Sequence, residues 1–239
     1  MTTQTRTDRR TFSDLMSDWP IRLAELGRLV VAYLVLSGIG LAIGFLITDA
    51  PMTNGLRELD TEVARELVGE RSPDLDEATS FGSSIAGTIQ IVAALVVVGA
   101  ILLMVLRRWR ETATLWAALS LEAVTFLTVS ILVGRDRPPV EQLDASPPTA
   151  SFPSGHTGAS AAFYLCLALF AWWWTKRTSI RVIAAVLGLG AVLVVALSRM
   201  YRGMHFLTDV TVGALLGAAC LAVAVDVVRR GIERREAMT

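Results

Sequence analysis

Apolar residues in this chain fall in long unbroken blocks and do not alternate with polar ones. Six blocks carry almost no charge, at 29–48, 85–106, 113–134, 158–174, 182–197 and 208–228. Apolar runs of about 20 residues predict transmembrane helices. The fourth and fifth blocks are the shortest, so their helices are expected to run on into the flanking residues. The expectation is an all-α polytopic membrane protein with six transmembrane helices in one bundle over 29–228. An N-terminal segment, 1–28, and a C-terminal tail, 229–239, flank it. Two further stretches are amphipathic. Phe12, Leu15, Trp19, Leu23 and Leu26 recur at helical spacing, which suits a helix on the inner membrane surface or a frayed tail. Leu56, Leu59, Val63 and Leu67 form a second stripe, with Gly69 near its end and Pro73 beyond; this predicts an outer interfacial helix.

Composition agrees with a membrane protein: 53% of the 239 residues are hydrophobic, and the mean hydropathy is +0.54. Net charge is zero, so the total says nothing about partners, and no nucleic-acid partner is expected. The distribution is more informative. With six spans the termini share a side, and that side holds 15 of the 22 basic residues, from Arg6 to Arg28, Arg107 to Arg110, Lys176 to Arg181 and Arg229 to Arg235. The positive-inside rule places both termini in the cytoplasm of a plasma-membrane protein. The first 28 residues are polar and of mixed charge, which argues for an uncleaved anchor and against a signal peptide. Cys166 and Cys220 lie inside spans and suit packing better than a disulfide. No Cys and His pattern reads as a zinc site, so no metal or other cofactor is expected. Gly213 and Gly217 have GxxxG spacing, suited to close helix packing within one chain or in a homodimer.

Three polar segments fall on the outer side. The third span ends in Arg135-Asp136-Arg137-Pro138, where the charge bias disfavours casual arginines. The fourth is preceded by Pro153-Ser154-Gly155-His156. A Ser-Gly turn entering a helix presents unpaired N–H groups and the positive end of the helix dipole, a cradle for phosphate. Before the last span stands Ser198-Arg199-Met200-Tyr201-Arg202-Gly203-Met204-His205, with Asp209 following. If the last helix begins near Leu207, Asp209 four residues after His205 can hold one ring nitrogen and leave the other free to attack. Both histidines of the chain thus lie in outer segments with arginines at hand. Glu122, near mid-membrane, is either a polar lining of a cavity or a protonated carboxyl bonded to a neighbouring helix.

At these motifs the chain resembles the type 2 phosphatidic acid phosphatase superfamily, which includes lipid phosphate phosphatases and vanadium haloperoxidases. The resemblance implies that His205 is the nucleophile and forms a phosphohistidine, that Asp209 orients it, and that His156 is the general acid. It implies that Arg137, Arg199, Ser154 and Gly155 bind phosphate oxygens without a metal. One position departs: the first motif usually opens with Lys seven residues before the Arg, and here Ser130 stands there. Arg135 or Arg202 is the candidate for the lost charge. The expected activity is hydrolysis of a membrane lipid phosphate or diphosphate at the outer face, undecaprenyl diphosphate before phosphatidic acid or phosphatidylglycerol phosphate. The rival of another class is an anion-binding or transport protein that catalyses nothing.

Overall fold

A computed structural model describes residues 19–145 and 148–238. Among these residues every regular element is helical. Helix α1 is Leu23–Asp49, α2 Asn54–Gly69, α3 Pro73–Ser84, and α4 Thr88–Ala100, which runs on as a π turn over Ile101–Val105. Then follow α5 Trp109–Val133, α6 Gly155–Trp174, α7 Thr178–Tyr201 and α8 Leu207–Glu236. Six of them, α1 and α4 to α8, are long and apolar enough to cross a membrane. The two short blocks do extend, α6 starting at Gly155 and α7 ending at Tyr201. The last helix continues well past 228, to Glu236.

The bundle is inverted relative to a water-soluble one. Val30, Val31, Leu34, Val35 and Ile39 of α1, and Ile183, Val186, Leu187 and Leu193 of α7, point outward, while Glu25, Glu111, Glu122, Arg199 and Asp209 are buried. Apolar patches of that extent suit only lipid. The chain is a multi-pass membrane protein.

Helices α5, α6 and α8 form the centre of the bundle, and small residues set their spacing. A Cβ on Gly217 would lie 2.1 Å from the Gly158 carbonyl, and one on Gly213 would lie 2.5 Å from that of Ser154. The GxxxG spacing is therefore used within one chain, between α8 and α6. Phe152, fully buried against Ile47, Val129 and Val133, anchors the loop before α6.

The two ends of the bundle differ. At one end Arg110 lies over the Trp173 ring, Arg181 over Trp172, and Trp174 donates to Glu111 at 2.7 Å. The start of α1 and the end of α8 meet here, since Arg234 pairs with Glu25 at 3.0 Å. The other end carries α2, α3, the 134–154 loop and the 202–206 turn. Gly203, with φ +72°, makes that turn, and a side chain there would strike the Glu141 carbonyl at 2.6 Å.

The first amphipathic expectation needs correction. Phe12 and Leu15 lie outside the described residues, but residues 19–22 are not helical, and Leu23 and Leu26 already belong to α1. Trp19 instead packs edge-on against Trp109, with ring centroids 5.5 Å apart. Helix α2 forms as expected, yet Leu56 and Leu59 are exposed and the buried positions are Asp60 and Ala64. The leucines suit an apolar surrounding, whereas the bundle beneath α2 presents an arginine that needs a carboxylate.

If α6 and α8 meet at these glycines, Gly217→Ile forces them apart. The expected cost is at least about 1–3 kcal/mol, read as a fall of about 2–4 °C per kcal/mol in the thermal midpoint of the detergent-solubilised protein. An unchanged midpoint would contradict the crossing.

Candidate active site

The site is assembled from the loop after α5, the start of α6, the end of α7 and the turn before α8. His205 is buried in that turn, two residues before the first helical residue of α8. Its Nδ1 lies 2.7 Å from the Ser151 carbonyl oxygen. A carbonyl can only accept, so Nδ1 carries the proton and Nε2 keeps its lone pair. Asp209 is the third residue of α8. Its Oδ2 accepts from the Phe206 N–H at 2.8 Å and from the Ser151 hydroxyl at 2.5 Å, which caps the helix and suits its positive end. The same Oδ2 is 3.9 Å from His205 Nδ1. The carboxylate therefore acts on the imidazole mainly as a nearby charge and by fixing Ser151, whose carbonyl holds the ring. Burial lowers the pKa of His205 from its ordinary 6.5, and Asp209 only partly opposes that.

Arg135 does not face the ring. Its Nη1 donates to Asp209 Oδ1 at 2.6 Å and its Nη2 to Asp60 Oδ2 at 2.9 Å, and its guanidinium covers the Phe206 ring at 4.2 Å. Asp60 also accepts from the Thr208 N–H at 3.0 Å and from the Thr208 hydroxyl. Arg135 is 6% exposed, Asp60 1% and Asp209 0%. Three segments remote in sequence thus meet on one buried guanidinium.

Arg137 staples the two loops, donating to the Met204 carbonyl at 2.6 Å and the Thr149 carbonyl at 3.1 Å. Arg199 Nη1 donates to Ser83 Oγ at 2.9 Å and to Asp144 Oδ2 at 2.8 Å, while its buried Nε finds no partner. Asp144 also holds Arg202, with Oδ1 2.6 Å from Nη2. Burial alone would raise the Asp144 pKa, but hydrogen bonds and charge from Arg202 and Arg199 outweigh it and bring it below the usual carboxylate value. Asp144 is therefore an anion resting on two arginines.

A cavity of about 390 Å³ joins these groups. Arg137, Arg199, His156, His205, Thr149 and Gly155 line it together with Thr88, Ser120 and Glu122, and Ile91, Leu95, Leu119, Ala123 and Phe126 are among its apolar lining. Its wall includes Val92 of α4 and Leu127 of α5, which are 54% and 44% exposed. Gly155 leaves room for Phe126, whose ring would stand 2.7 Å from a Cβ there. Of the candidates from sequence, Arg137, Arg199, Gly155, His156 and His205 come together on this cavity. Ser154 is buried at the α6–α8 crossing, its hydroxyl 3.0 Å from that of Thr157 and its N–H on the Asp209 carbonyl. Arg135, Arg202 and Asp209 also lie outside the cavity wall. Ser130 is fully buried, its hydroxyl directed at the Ala150 carbonyl.

This arrangement of two imidazoles and two guanidiniums around one space fits the family that the chain matches. Residues 113–233 match the PAP2 superfamily. The chain belongs to that superfamily. It is 26% identical over 185 residues, 75% of this chain and 88% of the relative, to phosphatidylglycerophosphatase B of Bacillus subtilis strain 168. Its fold matches that of a crystallised transmembrane PAP2-type phosphatidylglycerolphosphate phosphatase from Bacillus subtilis with a TM-score of 0.66, at 20% identity, covering 87% of this chain and 94% of the other. Aquifex aeolicus LpxE matches with a TM-score of 0.56, at 24% identity, covering 70% and 95%.

Within this PAP2 chain, sequence reasoning missed Asp60, Ser151, Asp144 and Ser83. Asp60 is one acidic residue among several on α2. It differs in lying on the buried face, and only the packed structure shows which face that is.

Asp60→Ala leaves a buried guanidinium without one of its two carboxylates, which costs about 3–5 kcal/mol. Because Arg135 holds Asp209, the His205 ring shifts as well, and misplacement by about 1 Å lowers turnover by roughly 10²-fold. The expected result is a fall in kcat with KM little changed, because Asp60 does not line the cavity. A variant altered only in KM would exclude this positioning role.

Proposed function

We propose that this membrane phosphatase of the PAP2 superfamily cleaves a lipid phosphate through a phosphohistidine on His205, at the outer face of the plasma membrane. The observation that carries this reading is the cavity itself. Both imidazoles line it with Arg137 and Arg199, most of its other lining residues are apolar, and two of these, Val92 and Leu127, are exposed on the apolar outside of the bundle. That shape suits an amphiphile whose head is an anion and whose tail lies in the bilayer.

In the reaction the phosphate replaces Asp144 as the anion on Arg199 and takes up the free Nε–H. Charge-assisted bonds from Arg137 and Arg199 offset charge on the non-bridging oxygens as the transition state forms. His205 Nε2, unprotonated because Nδ1 serves the Ser151 carbonyl, attacks phosphorus in line. The bond from phosphorus to the leaving oxygen breaks, and His156 gives that oxygen its proton, a step worth about 10²–10⁴-fold. The phosphate itself supplies the counter-charge for a protonated His156 beside two arginines. Water then attacks the phosphohistidine and gives a proton back to His156. Inorganic phosphate leaves, and His205 is regenerated.

Three further points belong to this reading. The end carrying both termini is the basic one, so the positive-inside rule sets that end in the cytoplasm and the cavity outside. Identity to the Bacillus subtilis phosphatidylglycerophosphatase B supports phosphatidylglycerol phosphate ahead of undecaprenyl diphosphate. Arg135 and Arg202 are each held by carboxylates, so neither replaces the lysine absent at Ser130; Arg137 and Arg199 carry the phosphate.

The reading is tested with purified protein and radiolabelled lipid phosphate. Acid-stable label is absent and alkali-stable label accumulates on the wild type during turnover, and His205→Ala shows neither label nor phosphate release. Turnover by His205→Ala at more than about one part in 10³ would contradict a nucleophilic role.

The pH profile is a separate check. The attacking form is neutral His205, so kcat/KM falls as pH drops through its pKa. Burial lowers that pKa, and the acid limb is expected below pH 6.5. A midpoint above 6.5 would show that the ring titrates in a different environment.

A further inference from the structure

One carboxyl in the cavity wall has no part in this chemistry. Glu122 lies near the middle of α5, 2% exposed, and its Oε1 has no hydrogen-bond partner. The sequence left open whether Glu122 lines a cavity or bonds to a neighbouring helix. It lines the same cavity as His156, Arg199 and His205. Gly158 makes room for the group, since a Cβ there would stand 2.3 Å from Oε1. Its depth follows from the same packing. Phe126, one turn further along α5, rests against Gly155, whereas Glu122 lies against Gly158. Three residues of helix put the carboxyl about 4.5 Å deeper than the start of α6.

A buried polar atom without a partner calls for an explanation. A carboxyl at this depth in a membrane is least costly as the uncharged acid, which can both donate and accept. Its place along the slot supplies the ligand. When phosphate sits on Arg137 and Arg199, the esterified carbons run down the slot past Glu122. In a glycerol phosphate the next carbon bears a hydroxyl or ester oxygen. In a prenyl or alkyl phosphate the same place holds only hydrogen.

We infer that Glu122 is a specificity-determining residue: it hydrogen-bonds the oxygen on the carbon adjacent to the phosphorylated one and so selects glycerol-based lipid phosphates over prenyl and alkyl phosphates. This rests on the lipid phosphatase reading above and narrows its substrate class. A site built to bond an oxygen rejects the analogue lacking it, because its own polar group is then left unpaired.

The test uses the purified full-length protein in mixed micelles and two substrates of matched chain length. A 1-acylglycerol 3-phosphate has the adjacent hydroxyl, and a long-chain alkyl phosphate lacks it. The wild type is expected to favour the acylglycerol phosphate in kcat/KM by about ten-fold or more. Glu122→Leu loses that preference by losing rate on the acylglycerol phosphate, and stays within about three-fold of wild type on the alkyl phosphate. Glu122→Gln, whose amide still donates and accepts, keeps it. Equal wild-type rates on both substrates overturn the assignment even if Glu122→Leu does not fold. An equal loss on both in the leucine variant, or loss of preference in the glutamine variant, also overturns it. Release of phosphate from neither lipid by the wild type would instead remove the phosphatase reading, and this inference with it.

Discussion

The Arg135 guanidinium, clamped between Asp60 and Asp209, is the interaction on which the rest of the site depends. Two carboxylates and one cation are buried together at the end of a membrane bundle. Their desolvation is tolerable only because all four carboxylate oxygens accept hydrogen bonds and both Nη1 and Nη2 of Arg135 donate them. That requirement fixes α2 over the start of α8 and ties the exit of α5 to both. From Asp209 the constraint passes through the Ser151 hydroxyl and the Phe206 N–H, and from Ser151 through its carbonyl to His205. The orientation of the His205 ring is thus the last link of a chain that begins on a different helix, about 150 residues earlier in sequence.

A second feature follows from the medium. In lipid there is no hydrophobic force to pull helices together, so close packing and polar contacts must do it. Glycines bring α6 and α8 into backbone contact and thereby hold the first turn of α6, with His156, against the first turn of α8. The arginines are then free to serve two purposes. Arg137 joins two loops through their carbonyls while lining the cavity. Arg199 is held by Ser83 and Asp144, with its buried Nε–H unpaired. Asp144, on the loop and partly exposed, gives these charges a partner.

Much of this was legible in the sequence. Six spans, their alternation and a helix on the stripe from Leu56 to Leu67 follow from block length and periodicity, because a membrane demands about 20 apolar residues per crossing whatever the tertiary fold. The clustering of His156, His205, Arg137 and Arg199 at one end also follows, since six crossings put those three segments on the same side. The end of the bundle where a residue lies is a one-dimensional property that can be read by counting.

What counting could not decide is which side chains face one another. Arg135 and Arg137, two residues apart, look equivalent in sequence, yet one holds Asp209 and the other lines the cavity. Arg199 and Arg202 divide in the same way, and Asp60 was hidden among the charged residues of α2. The spacing of His205 and Asp209 suggested a direct bond, whereas the chain interposes Ser151. Each of these outcomes depends on helix rotation and on loops returning from distant positions. Those are settled when buried donors and acceptors must all be satisfied at once, a condition that exists only in three dimensions.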